Sequence, residues 1–273
     1  MSTPKKLLFI GGGNIAGAVA CGLVNKKSVL PDNVTVYDID DSKFNKFSKL
    51  GINVTKDLLS ACDDADYIFL AVKPSIVKNV MAQLSQIEGL LDRVVIVSFA
   101  AAVSIDHIIK SAGRDCAVIR TMPSTPILVG EGVLAVTKNY LVAPKSFEFF
   151  CRMMSSIAYV VNVSEQQMNP IISVHGSSPA YVYLFIKSML DAAEKQGISS
   201  DTALPLILKT IKGSVTMVEK SDVSIDQLIS NVASPNGTTL AALNSFMSDD
   251  FSGAVERAMD ACTKRANEIS DEL

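Results

Sequence analysis

The chain has 273 residues, of which 48% are hydrophobic and 19% charged, and its net charge is −3. That apolar content is ample for a buried core, it argues against disorder, and the length suggests two domains. The slightly negative balance, with no lysine- or arginine-rich stripe, speaks against nucleic acid and anionic membranes as partners.

The first element is an apolar strand, Leu7-Leu8-Phe9-Ile10, which runs into a turn of three glycines, Gly11-Gly12-Gly13. A helix of small residues follows from Asn14 through Ile15 to Asn25. Gly11, Gly13 and Ala16 fit the dinucleotide fingerprint G-x-G-x-x-G/A. Gly11 permits the sharp turn, and Gly13 lets the backbone approach a pyrophosphate placed at free N–H groups and the helix dipole. Ala16 allows close packing of helix on strand. Glycine-rich turns also occur in ordinary α/β loops, so the pattern needs support from the rest of the chain.

The second strand, residues 34–37, ends at Asp38, about 25 residues beyond Gly13 and near the spacing of an acid that meets the adenosine ribose. A carboxylate there accepts from ribose hydroxyls and repels a 2′-phosphate, and Asp40 and Asp41 add to that repulsion, so NADH is favoured over NADPH. The alternative is that Asp38 only caps a helix starting near Ser42. Further strand patterns occur at 52–55, 67–72, 94–98, 117–121, 132–137 and 159–163, with helical patterns between most of them. Such alternation predicts a parallel sheet with helices on both faces. Ligands bind outside the carboxyl ends of strands in such sheets, which puts Ala71-Val72-Lys73-Pro74 at the crevice, with Lys73 able to reach phosphates or ribose or simply solvated. Arg120-Thr121-Met122-Pro123-Ser124-Thr125-Pro126 follows the sixth strand and is stiffened by two prolines. Arg120 is either a carboxylate ligand or half of a structural ion pair.

From Glu165 onward the patterns are helical: 179–196, 200–218, 225–232, 238–248 and 252–270. The first begins Ala180-Tyr181-Val182-Tyr183-Leu184-Phe185-Ile186, apolar on every side, which implies cover from a second subunit. The expected organisation is an α/β domain with a mostly parallel sheet over residues 1–165, then an all-α domain over 166–273. Two segments pair hydroxyls with a proline at an expected first helical position, His175-Gly176-Ser177-Ser178-Pro179 and Ala233-Ser234-Pro235-Asn236-Gly237-Thr238-Thr239. Each offers free N–H groups and hydroxyls, as a small carboxylate requires, or plain capping by Ser178 and Ser234.

The longest apolar run, residues 94–103, is too short to span a bilayer, and residues 1–6 lead straight into a strand, so neither a membrane span nor a signal peptide is expected. Cys21, Cys62, Cys116, Cys151 and Cys262 lack C-x-x-C spacing and read as reduced thiols of a cytoplasmic protein. His107 and His175 are the only histidines, which excludes a multi-histidine metal site. No nucleophile–base pair is evident, which favours chemistry carried by a cofactor.

These motifs together resemble the pyrroline-5-carboxylate reductase family, which reduces a cyclic imine to L-proline with NAD(P)H. The carriers are Phe9 to Asn14, Leu70 to Pro74, Ser98 to Val103, Arg120 to Pro126, Gly176 to Tyr181 and Ser234 to Thr239. The resemblance covers nearly the whole chain. It implies a Rossmann domain followed by a helical domain that forms a homodimer or a larger assembly of dimers. It also implies that Ile10, Gly11, Gly12, Gly13, Asn14, Ile15, Asp38, Ala71, Val72, Lys73, Pro74, Phe99, Ala100 and Ala101 contact the cofactor. Glu165, Ser124 and the loop Ser234, Asn236, Gly237, Thr238 and Thr239 would hold the substrate, 1-pyrroline-5-carboxylate, brought to the glycine turn by the helical domain of the other subunit. Thr239 matches the family threonine whose hydroxyl meets the ring nitrogen.

The chain departs from the family at Ser124 (usually asparagine), Ala102 and Asn236 (usually glycine), His175 (usually small) and Leu58 (usually polar). If Ala102 needs φ > 0, alanine costs about 1–2 kcal/mol there, whereas asparagine tolerates that region. Two other functions stay open. One is a related imine or β-hydroxyacid dehydrogenase, although its helix would carry Lys187 late as the catalytic lysine. The other is a catalytically weak NAD(P)H-binding dimeric protein.

Overall fold

The computed structural model describes residues 5–273. It divides into two compact units: the chain as far as Ser177 together with Cys262–Leu273, and Ser178–Ala261. The first contains β1 (Leu7–Ile10), α1 (Asn14–Asn25), β2 (Val34–Tyr37), α2 (Asn45–Ser48), β3 (Asn53–Thr55), α3 (Leu58–Cys62), β4 (Tyr67–Leu70) and α4 (Pro74–Leu84). It continues through α5 (Leu90–Arg93), β5 (Val95–Ser98), α6 (Ile105–Ala112), β6 (Ala117–Pro123), β7 (Gly132–Lys138), α7 (Pro144–Met154) and β8 (Ala158–Asn162).

The sheet order is β3-β2-β1-β4-β5-β6-β7-β8. β1, β4 and β5 are buried from end to end, as parallel strands covered on both faces must be, which is why they read as unbroken apolar runs. Alternate residues then serve two cores. Leu7, Phe9, Phe69 and Val97 face α1 and α7, whereas Leu8, Ile10, Ile68, Leu70 and Ile96 face α4 and α6. Phe9 and Phe69 stack with ring centroids 4.3 Å apart. Among the described residues the one antiparallel pairing is β6 with β7. Its connection, residues 124–131, is too short for a parallel crossover, which takes a dozen residues or more.

The sequence break after residue 165 marks where the strands stop, but the first unit runs on to Ser177 and takes back the end of the chain. The cause is a small third core, in which Ile172 and Ala266 close over Ala102 with Met122, Cys262 and Ile269 around them. Asn169 Nδ2 donates to Asn267 Oδ1 at 2.9 Å and to Ser270 Oγ at 3.1 Å, and Ser270 Oγ donates to the Ala102 carbonyl. Periodicity could not reveal this return, because the last turns of the chain read as one more amphipathic helix.

The second unit is helical: α8 (Ser178–Lys195), α9 (Ser200–Lys220), α10 (Ile225–Val232), α11 (Thr238–Ser248) and α12 (Phe251–Glu272) as far as Ala261. No residue of α8, α10 or α11 is buried within the chain. Tyr183, Leu184, Leu206, Val232 and Met247 are each more than 60% exposed. Apolar exposure on this scale marks an association surface, in keeping with the helix expected to be covered on every side.

Replacing Phe69 removes a fully buried ring that touches Phe9, Phe99 and Phe150. Phe69→Ala is expected to lower unfolding free energy by about 3–5 kcal/mol, read from a urea titration.

Candidate active site

β1 pairs with β2 on one side and β4 on the other, so a crevice opens at its carboxyl end, where the strand order reverses. The glycine turn sits there. Gly11 has φ +102°, and its N–H donates to the Tyr37 carbonyl at 2.8 Å. A Cβ on Gly11 would lie 2.6 Å from the Ala71 oxygen. Gly13 is the residue before α1, and a Cβ there would meet nothing within 4 Å. No side chain caps α1. Among the described residues the N–H groups of Gly13, Asn14 and Ile15 find no acceptor. Open space in front of unpaired N–H groups at a helix N-terminus fits a pyrophosphate. Ala16 is fully buried against the sheet, as close packing requires.

Asp38 is 6% exposed, and both of its oxygens are hydrogen-bonded. Its Oδ2 accepts from Gly12 N–H at 2.7 Å, its Oδ1 accepts from Asp40 N–H at 2.9 Å, and the Lys43 ammonium donates to both oxygens at 2.9 and 3.1 Å. Burial opposes its ionisation, but the two N–H groups and Lys43 outweigh it, and its pKa is held below the ordinary aspartate value. The helix-capping alternative falls to another residue, since Asp40 accepts from Ser42 N–H at 3.1 Å. Asp41 is paired with Lys56 at 2.9 Å. The repulsion expected from three clustered acids is therefore reduced, because Asp38 and Asp41 each have a cation of their own.

The turn and Asp38 border a cleft of about 590 Å³ whose other wall is Ala71, Val72, Lys73 and the face of α4. Lys73 is exposed and Pro74 is the first residue of α4. Ile39, Leu58 and Ile76 give the cleft apolar surfaces suited to a flat ring, so Leu58 contributes packing where a polar contact is usual. Phe99 and Ala100 reach this edge of the sheet with their side chains in the two cores, at 7% and 3% exposure, so only their backbone and the half-buried Ala101 can face a ligand.

Arg120 takes the ion-pair role of its two alternatives. It donates to Glu165 Oε1 at 2.8 Å and to Asn169 Oδ1 at 2.6 Å. Glu165 Oε1 also accepts from Ile105 N–H at 3.1 Å, and Glu165 Oε2 is buried without a partner among the described residues. Ser124 is 2% exposed, and its hydroxyl accepts from Val133 N–H at 2.9 Å across the β6–β7 hairpin. Ser124 thus braces the hairpin of the Pro123 loop, and Glu165 braces Arg120 through Oε1 alone, with Oε2 left over. His175, in a π-helical turn over Ile172–Gly176, faces two carbonyls, Ile171 at 3.0 Å and Met122 at 2.8 Å. A neutral ring donates to only one of them. Ala102 does adopt a left-handed conformation, φ +64°, with its methyl buried against Ile172 and Ala266.

In the second unit the loop before α11 has a different local structure from the expected helix start. Pro235 and Asn236 are the centre of a turn, Asn236 has φ +60°, and Gly237 N–H donates to the Ser234 carbonyl at 3.0 Å. That is the pattern of a type II turn, with proline first and a left-handed residue second. Gly237 precedes α11 and no side chain caps it, so Ser234 is not the cap. A Cβ at Gly237 would collide with the Ser234 hydroxyl. The N–H groups of the first turn of α11, the hydroxyls of exposed Ser234 and Thr238, and that of half-buried Thr239 therefore lie together. Lys187 forms a surface pair with Asp191 and is 68% exposed.

Sequence reasoning missed Lys43, Asn169 and Ser270. Lys43 was the one legible in principle, a cation five residues beyond Asp38 on the turn that follows it.

A family model described as pyrroline-5-carboxylate reductase dimerisation matches residues 165–269, and one described as NADP oxidoreductase, coenzyme F420-dependent, matches residues 6–102. The pyrroline-5-carboxylate reductase of Escherichia coli strain K12 is 34% identical over 267 residues, 97% of this chain and 98% of that protein. Two solved structures are similar along the same length. Plasmodium falciparum pyrroline carboxylate reductase with NADP bound has a TM-score of 0.89 at 31% identity, covering 97% of this chain and 98% of its own. The reductase of Coxiella burnetii has a TM-score of 0.88 at 31% identity, covering 98% and 99%.

Arg120→Met would leave the Glu165 carboxylate without its cation, with only Ile105 N–H on Oε1 and still no partner on Oε2. Breaking a fully buried pair costs about 3–5 kcal/mol. Because the Glu165 side chain is 33% exposed, a loss of about 2–3 kcal/mol is expected after discounting for solvent, measured by chemical denaturation.

Proposed function

The chain belongs to the pyrroline-5-carboxylate reductase family, and from that premise we propose that it reduces the C=N bond of 1-pyrroline-5-carboxylate to L-proline with NAD(P)H, as a cytoplasmic homodimer or assembly of dimers. The observation that carries this reading is the open, uncapped N-terminus of α1 beside a ribose-type acid at the reversal of strand order. It stands in a chain whose likeness to the reductases runs through both units.

A reduced nicotinamide dinucleotide supplies the hydride to the imine carbon. The chain's part is to bind and orient. Gly13, Asn14 and Ile15 offer N–H groups to the pyrophosphate, Asp38 accepts from the ribose hydroxyls, and Ile39, Leu58 and Ile76 cover the base. In the second unit, Ser234, the backbone of Asn236 and Gly237, and the N–H groups of Thr238 and Thr239 fix the substrate carboxylate. Thr239 directs its hydroxyl at the ring nitrogen and orients or relays the proton there. Glu165 and Ser124 act as positioning residues, through Arg120 and the β6–β7 hairpin. Such positioning supplies about 7–11 kcal/mol of barrier lowering, so no strong general acid is needed. Asp38 favours NADH, because its carboxylate matches free ribose hydroxyls better than a 2′-phosphate.

The reading is tested by following oxidation of NADH or NADPH with pyrroline-5-carboxylate against a panel of 3-hydroxy and 2-oxo acids. Turnover is expected only with the imine; turnover with a hydroxy acid, or cofactor binding with no turnover at all, would replace it. Thr239→Val is expected to lower kcat/KM for the imine at least about tenfold, a loss near 1.4 kcal/mol, while cofactor Kd stays constant. Asp38→Ser is expected to shift the NADH-to-NADPH ratio of kcat/KM toward NADPH by about fivefold or more, or roughly 1 kcal/mol; an unmoved ratio would remove Asp38 from cofactor choice.

A further inference from the structure

The acid that favours NADH does not stand alone, and its partner has a property of its own. Lys43 is 39% exposed in its side chain, and it lies in the same cleft as Asp38. The neighbouring lysines are placed elsewhere: Lys46 donates to the Gly13 carbonyl at 3.0 Å and lies over the Phe47 ring, and Lys56 is paired with Asp41. Lys43 is thus the ammonium held against the ribose acid. The carboxylate does not depend on it. If the ammonium turned away, Asp38 would keep Gly12 N–H at 2.7 Å and Asp40 N–H at 2.9 Å. A flexible four-carbon stem lets an ammonium turn to a nearby phosphate as a point charge.

We infer that Lys43 is a specificity-determining residue that admits a 2′-phosphorylated dinucleotide to this cleft, by neutralising Asp38 when the ribose is free and turning onto the phosphate when it is not. This rests on the dinucleotide reading above. With the ammonium on the phosphate, the repulsion between phosphate and carboxylate is offset at close range, where the interaction of two unit charges is several-fold larger than in bulk water. NADH needs only the carboxylate, so it gains little from the lysine. The consequence is a cleft that prefers NADH but does not exclude NADPH, in contrast to a ribose acid with no cation beside it.

The experiment is a fluorescence titration of the full chain with NADH and with NADPH, at two ionic strengths, for the parent, Lys43→Met, Lys43→Arg and Lys73→Met. In Lys43→Met the Kd for NADPH is expected to rise at least about tenfold, and that for NADH by less than about threefold. The salt dependence of NADPH binding is expected to flatten, and Lys43→Arg is expected to keep the parent's NADPH affinity. Lys73→Met, on the opposite wall, is expected to change both cofactors alike. Equal weakening of both dinucleotides in Lys43→Met, or unchanged NADPH binding, would overturn the inference, and so would a parent that binds NADH but not NADPH. A parent that binds neither dinucleotide would instead overturn the dinucleotide reading itself. Circular dichroism of Lys43→Met separates loss of affinity from loss of fold.

Discussion

The close approach of Gly11 to the end of β4 constrains everything around the cleft. The backbone leaves β1 at φ +102° with no room for a Cβ, because the Ala71 oxygen occupies that space. Only glycine meets both conditions. Its N–H is bonded to Tyr37, so one residue fixes the relative positions of β1, β2 and β4. The direction of α1 follows, and with it the direction of the unpaired N–H groups at its start. Gly12 then donates to Asp38, tying the acid at the end of β2 to the same turn. A pyrophosphate platform and an acid some 25 residues later are two signals in the sequence; in the fold they are one hydrogen-bonded unit.

A second set of constraints holds the Pro123 loop. Arg120, Glu165 and Asn169 link the end of β6 to the last helix, and Ser270 completes the link by bonding the carbonyl of Ala102. Ala102 sits in the left-handed region, which costs an alanine about 1–2 kcal/mol. Its methyl is fully covered by Ile172 and Ala266, and burying one such group returns close to 1 kcal/mol. The substitution of alanine for the usual glycine is thus largely offset by the return of the chain end, and backbone strain there gives little reason to expect an inactive protein. At Asn236 the same backbone region is occupied by a residue that tolerates it, and the turn it forms leaves the start of α11 uncapped.

Several site residues could be read from the sequence because their roles depend on backbone geometry at short range. Gly11, Gly13, Ala16 and the strand-end acid have fixed local offsets, and the hydroxyl-rich loop announces itself by composition. Others could not. Arg120 had two roles open, and only the position of Glu165, 45 residues away, chose the ion pair. Ser124 and Glu165 read as ligands because polar residues near a crevice have that meaning in sequence; in the structure Val133 uses the Ser124 hydroxyl, and Ile105 and Arg120 use one Glu165 oxygen while the other has no partner among the described residues.

The sequence by itself determined the alternation of strands and helices, the parallel sheet, the dinucleotide turn, Asp38, and a helical region too apolar to stand uncovered. All of these follow from periodicity, glycine sterics and hydrophobic content, which act over a few residues. Only the tertiary structure decided that the first unit ends at Ser177 and takes back residues 262–273. It alone showed the Asp38 carboxylate paired with the Lys43 ammonium at 2.9 Å. The return depends on methyl and polar groups that meet across about a hundred residues or more, and the ion pair on how one local turn folds; neither leaves a periodic trace in the chain.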